Sequence, residues 1–397
     1  MRTKSSRTLP RLVAGLPWLA GAAVAAVINA SAGAQPGPMR VHFIDVGQGD
    51  ATLIELPCAA VLVDTGGERY AGFDGNRNLV AYLDDFFARR RDLQRTLEVV
   101  FLTHPHVDHT RGVEALINAG FTLKRAVTNG QVSAAGPSTG LDLGERGQRA
   151  LLDHVPQIWR REVAFSTVST VAPRTDDLID PVDCRSAAPG GVDPRIRVLW
   201  GQIGKDPGWG YTGRENKRRY HFDNENNHSL VIRVDYGASS LLLTGDLEEA
   251  ALPDFLAAYQ GGNLLDVDIY QVGHHGSSNG TTTDLLAAMT PKVAVVSMGP
   301  ASRKCQWWRS GGCFTAYRHG HPRQGIVQNL ERHVTLRRRN PVKVQVARGQ
   351  EDFVPADVER CIYGTGWSGT VVLGATAAGW IGVEEPAGEP CGSPPPP

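Results

Sequence analysis

The stretch Thr103-His104-Pro105-His106-Val107-Asp108-His109-Thr110 decides both the fold and the chemistry of this chain. Three imidazoles and one carboxylate fall within six positions, directly after the apolar residues 97–102. Neutral imidazoles and carboxylates are ligands of zinc, and also of manganese and iron. A surface loop that collects unrelated histidines is the alternative interpretation, and the order H-x-H-x-D-H within one short run argues against it. The stretch therefore predicts a metal site.

The spacing within this run divides its side chains into two sets. Side chains alternate along an extended backbone, so His104 and His106 point the same way where the strand ends. Asp108 and His109 follow the turn and face a second position. We therefore expect two ions, with zinc preferred and manganese or iron as alternatives.

The patterns on both sides of the run predict alternating strands and helices. Strands are expected at residues 41–46, 51–56, 59–63, 97–102, 125–128, 195–200, 229–234, 240–244, 268–272 and 293–297, with several short ones between 342 and 383. Helices are expected at 78–91, 112–118, 147–155, 248–258, 283–288 and 325–332. Two series of strands, each followed by helices, predict an α/β fold of two packed mixed sheets with helices outside.

The N-terminus has the features of an export signal. A basic start without acids precedes an apolar stretch at 16–28, and Ala32-Gly33-Ala34 is typical of a cleavage site. An uncleaved anchor is the alternative, but the stretch is shorter than the roughly 20 residues that span a bilayer. We expect a signal peptide at 1–34, a hydrolase-like domain at 35–340 and a C-terminal β extension at 341–397 with a disordered Pro-rich end. The mature protein would be periplasmic or extracellular.

The charge balance gives no general support for binding a polyanion. The chain has 41 basic and 41 acidic residues, and removal of the four basic residues before residue 12 leaves 37 against 41, a net charge of −4. Local basic runs are expected to be solvated faces.

Six cysteines form an even set, which in an exported protein predicts disulfides. Short loops favour the pairs Cys305–Cys313 and Cys361–Cys391. The pair Cys58–Cys184 then follows by elimination.

Three further motifs occur in order along the chain. Asp64 and Asp246 each end an apolar run, and His274-His275 follows another. With the H-x-H-x-D-H run, they resemble the metal-binding signature of the metallo-β-lactamase superfamily. The resemblance implies an αββα sandwich in which Asp246 bridges two ions and His274 or His275 is the last histidine ligand. It also implies that Asp64 orients the metal loop from behind the ligands.

Several motifs resemble one branch of that superfamily, the hydrolase domain of the bacterial competence DNA-uptake channel (ComEC-like) family. They are Phe43-Ile44-Asp45-Val46-Gly47-Gln48-Gly49-Asp50, Asn226-Asn227-His228-Ser229, the Thr-Gly-Asp and His-His-Gly-Ser segments, Ser297-Met298-Gly299 and Gly320-His321-Pro322. The resemblance covers about residues 40–335, without the membrane channel part. Many superfamily members place a third histidine at the first ion. Asn226 stands there in this chain, so either Asn226 or His228 completes the site.

The resemblance implies a hydrolase in which a metal-bound hydroxide attacks a phosphodiester or a similar ester. Asp108 would orient the hydroxide, while His321 or His275 would stabilise charge or protonate the leaving oxygen. The expected substrate is a small-molecule or nucleic-acid phosphodiester. No stable membrane insertion is expected after signal cleavage, and the oligomeric state is open.

Two other functions compete with this hypothesis. A β-lactamase, or another ester or amide hydrolase, fits the export signal and the superfamily, although the Asn-x-x-Ser motif of the branch argues against it. A non-catalytic binding module on the same scaffold is disfavoured by the intact metal run.

Overall fold

The computed structural model describes residues 38–70, 72–129, 141–160, 182–185, 192–201, 224–304, 314–385 and 391. The described strands are β1 Met39–Phe43, β2 Thr52–Glu55, β3 Ala60–Val63, β4 Arg69–Tyr70, β5 Phe73–Asp74, β6 Thr96–Leu97, β7 Val99–Leu102, β8 Thr122–Leu123, β9 Arg125–Thr128, β10 Gln157–Arg160, β11 Arg195–Trp200, β12 Val231–Tyr236, β13 Ser239–Leu243, β14 Ile269–Gln271, β15 Val293–Val296, β16 Arg337–Gly349, β17 Asp352–Arg360, β18 Ile362–Gly364, β19 Val371–Ala375 and β20 Ile381–Glu385.

The described helices lie between these strands. They are α1 Gly75–Arg89, α2 Val107–Thr110, α3 Val113–Asn118, α4 Leu141–His154, α5 Leu252–Ala258, α6 Thr283–Met289, α7 Ala316–His319, α8 Gln324–His333 and α9 Thr365–Ser368, with short 3₁₀ turns at Arg91–Leu93, Glu225–His228 and Gly273–Gly276. Within the described residues, no helix combines the length and the apolar character needed to cross a bilayer.

Eight described strands form a mixed sheet in the order β10-β9-β7-β3-β2-β1-β19-β20. Neighbouring residues of its strands enter different parts of the core: Ile54 of β2 packs into the larger apolar cluster, and Leu53 into a smaller one with Leu79 and Leu83 of α1. This alternation is the period of two that a strand imposes. One face of the sheet therefore carries the helix layer, and the other face meets a second sheet.

The second sheet has the order β11-β12-β13-β14-β15-β18. Its residues, including Ile232 and Leu242, share the larger cluster with Val41 of β1, and α5 and α6 add Phe255 and Leu285. Two packed mixed sheets with helices outside make up the αββα sandwich, so the predicted fold class is confirmed.

Several predicted helix boundaries were wrong, and helix α4 begins at Leu141 rather than 147. Helix α1 begins at Gly75 rather than 78, because the Asp74 side chain caps it by accepting from the backbone N–H groups of Asn76 and Arg77. Helix α5 begins at Leu252 rather than 248, with a proline in its first turn, where the missing N–H is not needed.

The segment after residue 336 joins both sheets. Strand β18 pairs with β15 in the second sheet, and β19 pairs with β1 in the first. Strands β16 and β17 form a separate antiparallel hairpin. The predicted signal peptide and the Pro-rich end lie outside the described residues.

Two predicted disulfides are confirmed. Cys58 bonds to Cys184, and Cys361 bonds to Cys391. The predicted pair Cys305–Cys313 lies outside the described residues. Disulfides are typical of an oxidising, non-cytoplasmic compartment.

Candidate metal centre

The metal run lies where strand ends of the two sheets meet. Strands β3 and β7 are parallel in the first sheet, and β13 and β14 are parallel in the second. The chain leaves these strands at Asp64, Thr103, Thr244 and Val272, respectively. Because polar side chains following parallel strands collect at one sheet edge, residues distant in sequence come together there.

Four buried side chains form the centre of this edge: Asp50, His109, Asp246 and His275. Each offers one ligand atom, and the four atoms lie within 4.8 Å of one another. None of the four residues is more than 3% exposed. Two imidazoles and two carboxylates gathered at this distance are a donor set suited to a divalent transition metal.

Asp108 borders the same position. Its Oδ2 atom lies 3.1 Å from Nε2 of His275 and 3.9 Å from Nε2 of His109. Oδ2 of Asp246 lies 3.3 Å from His109 Nε2 and 3.6 Å from His275 Nε2. The Nε2 atoms of both histidines therefore face two carboxylates.

The opposite nitrogens of these two rings are held by hydrogen bonds. Nδ1 of His109 donates to Asp64 Oδ2 at 2.8 Å, and Nδ1 of His275 donates to the carbonyl oxygen of Ser297 at 2.9 Å. Asp64 also accepts from the backbone and the hydroxyl of Thr103, both at 2.8 Å. These bonds fix the ring orientations and place Asp64 behind the His109 ring, on the side away from Asp246.

His104 and His106 lie beside this centre. Nε2 of His104 is 2.9 Å from Nδ1 of His106 and 3.9 Å from Oδ2 of Asp246. The ring of His104 is held from behind by the hydroxyl of Ser229, 3.2 Å from its Nδ1 atom. Asp246 thus lies between the two histidine pairs, as expected of a carboxylate shared by two ions.

Asn226 and His228 belong to the 3₁₀ turn Glu225–His228, which reaches His106: Nε2 of His106 lies 4.0 Å from Oε2 of Glu225. The amide nitrogen of Asn226 donates to Glu248 at 2.7 Å. Its Oδ1 atom is buried and has no hydrogen-bond partner in the described part of the chain. The backbone oxygen of His228 accepts from Asn129. Asn226 Oδ1 is therefore a buried acceptor without another assigned role, while the predicted choice between Asn226 and His228 as a ligand stays a prediction.

The two histidines after β14 differ in position. His275 is 2% exposed and faces Asp108 and Asp246, as described above. The side chain of His274 is 18% exposed, and its Nδ1 atom lies 3.0 Å from Oδ1 of Asn279. Both residues have positive φ, 49° for His274 and 53° for His275, which is a costly conformation for non-glycine residues. The geometry places His275 in the central set.

His321 lies in the loop between α7 and α8, with its ring centroid 6.3 Å from that of His275. Its Nδ1 atom lies 3.2 Å from Nε2 of Gln48. Oε1 of Gln48 accepts from the backbone N–H of Gly299, which fixes the orientation of the amide. Nδ1 of His321 must then accept, so the proton of the neutral ring is on Nε2.

Sequence reasoning missed three residues of this site. Asp50 and Gln48 lie in the turn between β1 and β2, and His319 precedes His321 with ring centroids 5.7 Å apart. The Gly-Gln-Gly-Asp turn could have identified Gln48 and Asp50 in the sequence. Its polar residues follow an apolar strand, as the other predicted site residues do.

Charges within the centre are strongly coupled. Burial opposes a proton on His109, but nearby carboxylates, Asp246 first, hold its pKa well above the ordinary value. Burial also opposes a proton on His275, but Asp246 and Asp50 raise the pKa of His275 to about 10. Burial raises the pKa of Asp50 to about 6. Protonated imidazoles thus compensate the negative charge of the carboxylates. A divalent cation that binds here would displace these protons and compensate that charge instead.

Buried polar atoms without a hydrogen-bond partner indicate whether the site fits a metal. Among the described residues, Nε2 of His109 and Oδ1 of Asp246 are buried without a hydrogen-bond partner. Buried polar atoms of this kind are rare and call for a ligand. His109, His275, Asp50, Asp108 and Asp246 therefore fit a divalent metal as its ligands.

Residues 44–299 match the family model of the metallo-beta-lactamase superfamily, and the chain belongs to this superfamily. Its members are generally metal-dependent hydrolases.

The curated relatives include competence proteins, which confirms the predicted branch. The chain is 45% identical over 260 residues to Recombination protein 2 of Haemophilus influenzae, covering 66% of this chain and 24% of that protein. It is 25% identical over 309 residues to ComE operon protein 3 of Bacillus subtilis, covering 74% of this chain and 31% of that protein. The chain thus spans less than a third of either relative. Among solved structures, the metallo-beta-lactamase fold protein YhfI from Bacillus subtilis has a TM-score of 0.29 at 14% identity, covering 59% of this chain and 70% of that chain.

Proposed function

We propose that this protein is an exported, metal-dependent phosphodiesterase that acts on nucleic acid. The observation that carries the proposal is the buried set Asp50, His109, Asp246 and His275, with Asp108 at its border. The names of the relatives, a recombination protein and a competence operon protein, favour a nucleic acid over another ester.

The residues divide the work as follows. A divalent ion bound at the centre would supply Lewis-acid activation of the attacking water and of the phosphoryl group. The side chain of Asp108 orients the attacking water by accepting its hydrogen bond. His321 donates a hydrogen bond from its Nε2–H group to the leaving oxygen and stabilises the charge that develops there. Burial and the neighbouring histidines, His274 first, hold the pKa of His321 well below its ordinary value, which keeps the ring a neutral donor.

Export is supported by the two disulfides, which persist in oxidising compartments. The predicted signal at residues 1–34 would deliver the chain to the periplasm or the exterior. Cell fractionation tests this part: the protein should be recovered outside the cytoplasm, starting at Gln35, and a cytoplasmic chain with residues 1–34 retained would contradict it.

Activity is tested with a panel of bis-p-nitrophenyl phosphate, single-stranded DNA and a chromogenic cephalosporin, each with zinc or manganese. We expect hydrolysis of the two phosphodiesters and not of the cephalosporin. Activity should be lost after chelation and return on adding metal. A double variant, His106→Ala with Asp108→Ala, should be inactive while melting as the parent does, and Asp153→Ala on the exposed side of α4 is the control.

The opposite results have definite meanings. Hydrolysis of the cephalosporin alone would replace the proposal by a β-lactamase. Bound metal by elemental analysis without hydrolysis of any substrate would favour a binding module.

A further inference from the structure

A pocket of about 700 Å³ lies on the helix layer next to the metal centre. It is formed between the start of α1, the turn after α2, the start of α3, and α4. Its charged lining consists of Arg69, Arg77, Arg111 and Arg146 against Asp74 and Glu114. Four guanidinium groups against two carboxylates make the pocket locally basic, although the chain as a whole has no excess of positive charge.

Two of the four arginines are neutralised at the rim. Arg69 lies 3.4 Å from Asp74, and Arg146 lies 3.5 Å from Glu114. Both arginine side chains are largely exposed, so their ion pairs are weak and screened. An arriving anion can therefore recruit both guanidinium groups at little cost.

Arg77 and Arg111 have no carboxylate within 4.0 Å in the part of the chain that the structure describes. Arg111 is only partly exposed, and within the described residues its one side-chain hydrogen bond donates to the carbonyl oxygen of Gly67 at 2.6 Å. A guanidinium has five N–H donors in a planar fork. Most donors of this half-buried cation are therefore free for an anion.

The pocket and the metal centre both lie against the short helix α2. Arg111 directly follows α2, which contains Asp108 and His109. Gly67 packs so closely on this helix that an added Cβ would lie 2.6 Å from the Cα atom of Asp108. A Cβ on Gly147 of α4 would meet the carbonyl oxygen of Thr110, so α4 is held equally close. Metal ligands and pocket arginines are therefore fixed on the same short helix and its neighbours.

We propose that this pocket is a phosphate subsite, which holds a phosphate of a nucleic-acid strand while a neighbouring phosphodiester lies at the metal centre. The inference rests on the proposed phosphodiesterase function. Planar guanidinium groups match phosphate geometry. The volume is that of a pocket for a nucleotide-sized ligand rather than for a single ion. The subsite supplies the local positive charge that the overall composition lacks.

The test uses the double variant Arg77→Gln with Arg146→Gln. The matched control is Arg337→Gln with Arg348→Gln, two exposed arginines on the β16–β17 hairpin that are paired with Glu359 and Asp352. Binding of labelled dT8 is measured by fluorescence anisotropy at several salt concentrations. Pyrophosphate competition and hydrolysis of bis-p-nitrophenyl phosphate are measured in parallel. Melting temperatures show whether both variants fold.

We expect the pocket variant to bind dT8 about tenfold or more weakly, with a log–log salt slope smaller by about 1. The control should stay within twofold of the parent. Hydrolysis of bis-p-nitrophenyl phosphate, which is too short to reach the pocket, should be unchanged in both.

Three results would overturn the subsite. They are unchanged dT8 binding in the pocket variant, an equal loss in the control, or pyrophosphate competing as tightly as dT8, which would indicate a site for small free anions. Failure of the proposed function looks different: dT8 would bind through the pocket, yet neither phosphodiester would be cleaved by the parent protein.

Discussion

Asp50 belongs to the metal centre because the turn between β1 and β2 places its carboxylate beside two histidines. Its carboxylate is 3.9 Å from Nδ1 of His109 and 3.7 Å from Nδ1 of His275. We predict that Asp50→Asn weakens metal affinity by about tenfold or more, because a buried negative charge next to two ligands is lost. Chelator competition with elemental analysis measures this. Asp45→Asn, in the same turn, is the control, and parent-like affinity in Asp50→Asn would remove Asp50 from the centre.

Gln48 acts through His321, so its effect should depend on the leaving group. A p-nitrophenolate departs with little help, whereas a phenolate with a higher pKa carries more developing charge that a hydrogen bond must stabilise. We predict that Gln48→Leu slows hydrolysis of the phenyl ester of thymidine 5′-phosphate about tenfold more than that of the p-nitrophenyl ester. His321→Gln should show the same selectivity, and the double variant should add nothing. Equal losses on both esters would mean that Gln48 is merely structural.

Glu55 makes stability depend on pH away from the metal. Burial opposes its charge, but hydrogen bonds from His42 and Arg90 lower its pKa to about 2, from 4.5. A lowered folded-state pKa stabilises the fold above pH 4.5, and the contribution is lost as pH falls towards 2. We predict that Glu55→Gln costs about 2 kcal/mol at pH 7, after allowance for partial exposure. Urea unfolding at pH 7, 5 and 3 should show this difference shrinking below pH 5, and a constant difference would contradict it.

The residues that the sequence did not predict share a physical reason. The ligands of the H-x-H-x-D-H run are close in sequence, so their pattern is visible. Asp50 contacts histidines 59 and 225 positions away, and an aspartate in a glycine-rich turn ordinarily accepts a local bond, as Asp45 does from Gly47. Gln48 likewise meets His321 only because both sheets are formed.

At the scale of elements, the β16–β17 hairpin braces the loop that carries His321. The backbone N–H of Ala347 donates to the carbonyl oxygen of Pro322 at 2.8 Å, and that of Glu351 donates to Tyr317 at 2.9 Å. The sequence indicated short strands in this region. It could not show a 13-residue strand, since much of β16 is exposed and charged and so lacks a clear apolar alternation.

We predict that Ala347→Pro lowers kcat severalfold with little change in melting temperature. The N–H of residue 347 points away from β17, towards Pro322, so proline removes the brace and spares the ladder between the strands. Lys343→Pro is the control, because residue 343 lies on the same edge of β16 and is exposed. Similar losses of activity in both variants would mean that the hairpin acts only through its own stability.

At the scale of the whole molecule, two disulfides close loops of very different length. The sequence separation is 126 residues for Cys58–Cys184 and 30 for Cys361–Cys391. Chain entropy predicts losses of about 5 and about 3.5 kcal/mol when the bonds are removed. Paired Cys→Ser variants, unfolded in urea, should therefore rank with the longer loop as the more destabilised. The reverse order would show that local packing outweighs loop entropy.

Strand β19, which pairs with β1, is synthesised much later than β1. Strand β1 lies between β2 and β19, and the residues that pair with Met39–Phe43 are Val371–Ala375. During synthesis, the edge of β1 therefore stays unpaired until more than 300 further residues have been made, whereas the separation between β15 and β18 is only 68 residues, from Ala294 to Ile362. Contacts of such sequence separation form slowly. A nascent chain that lacks its last segment has open strand edges in both sheets, which delays assembly of the metal centre at the edge of these sheets until β18 and β19 have been made.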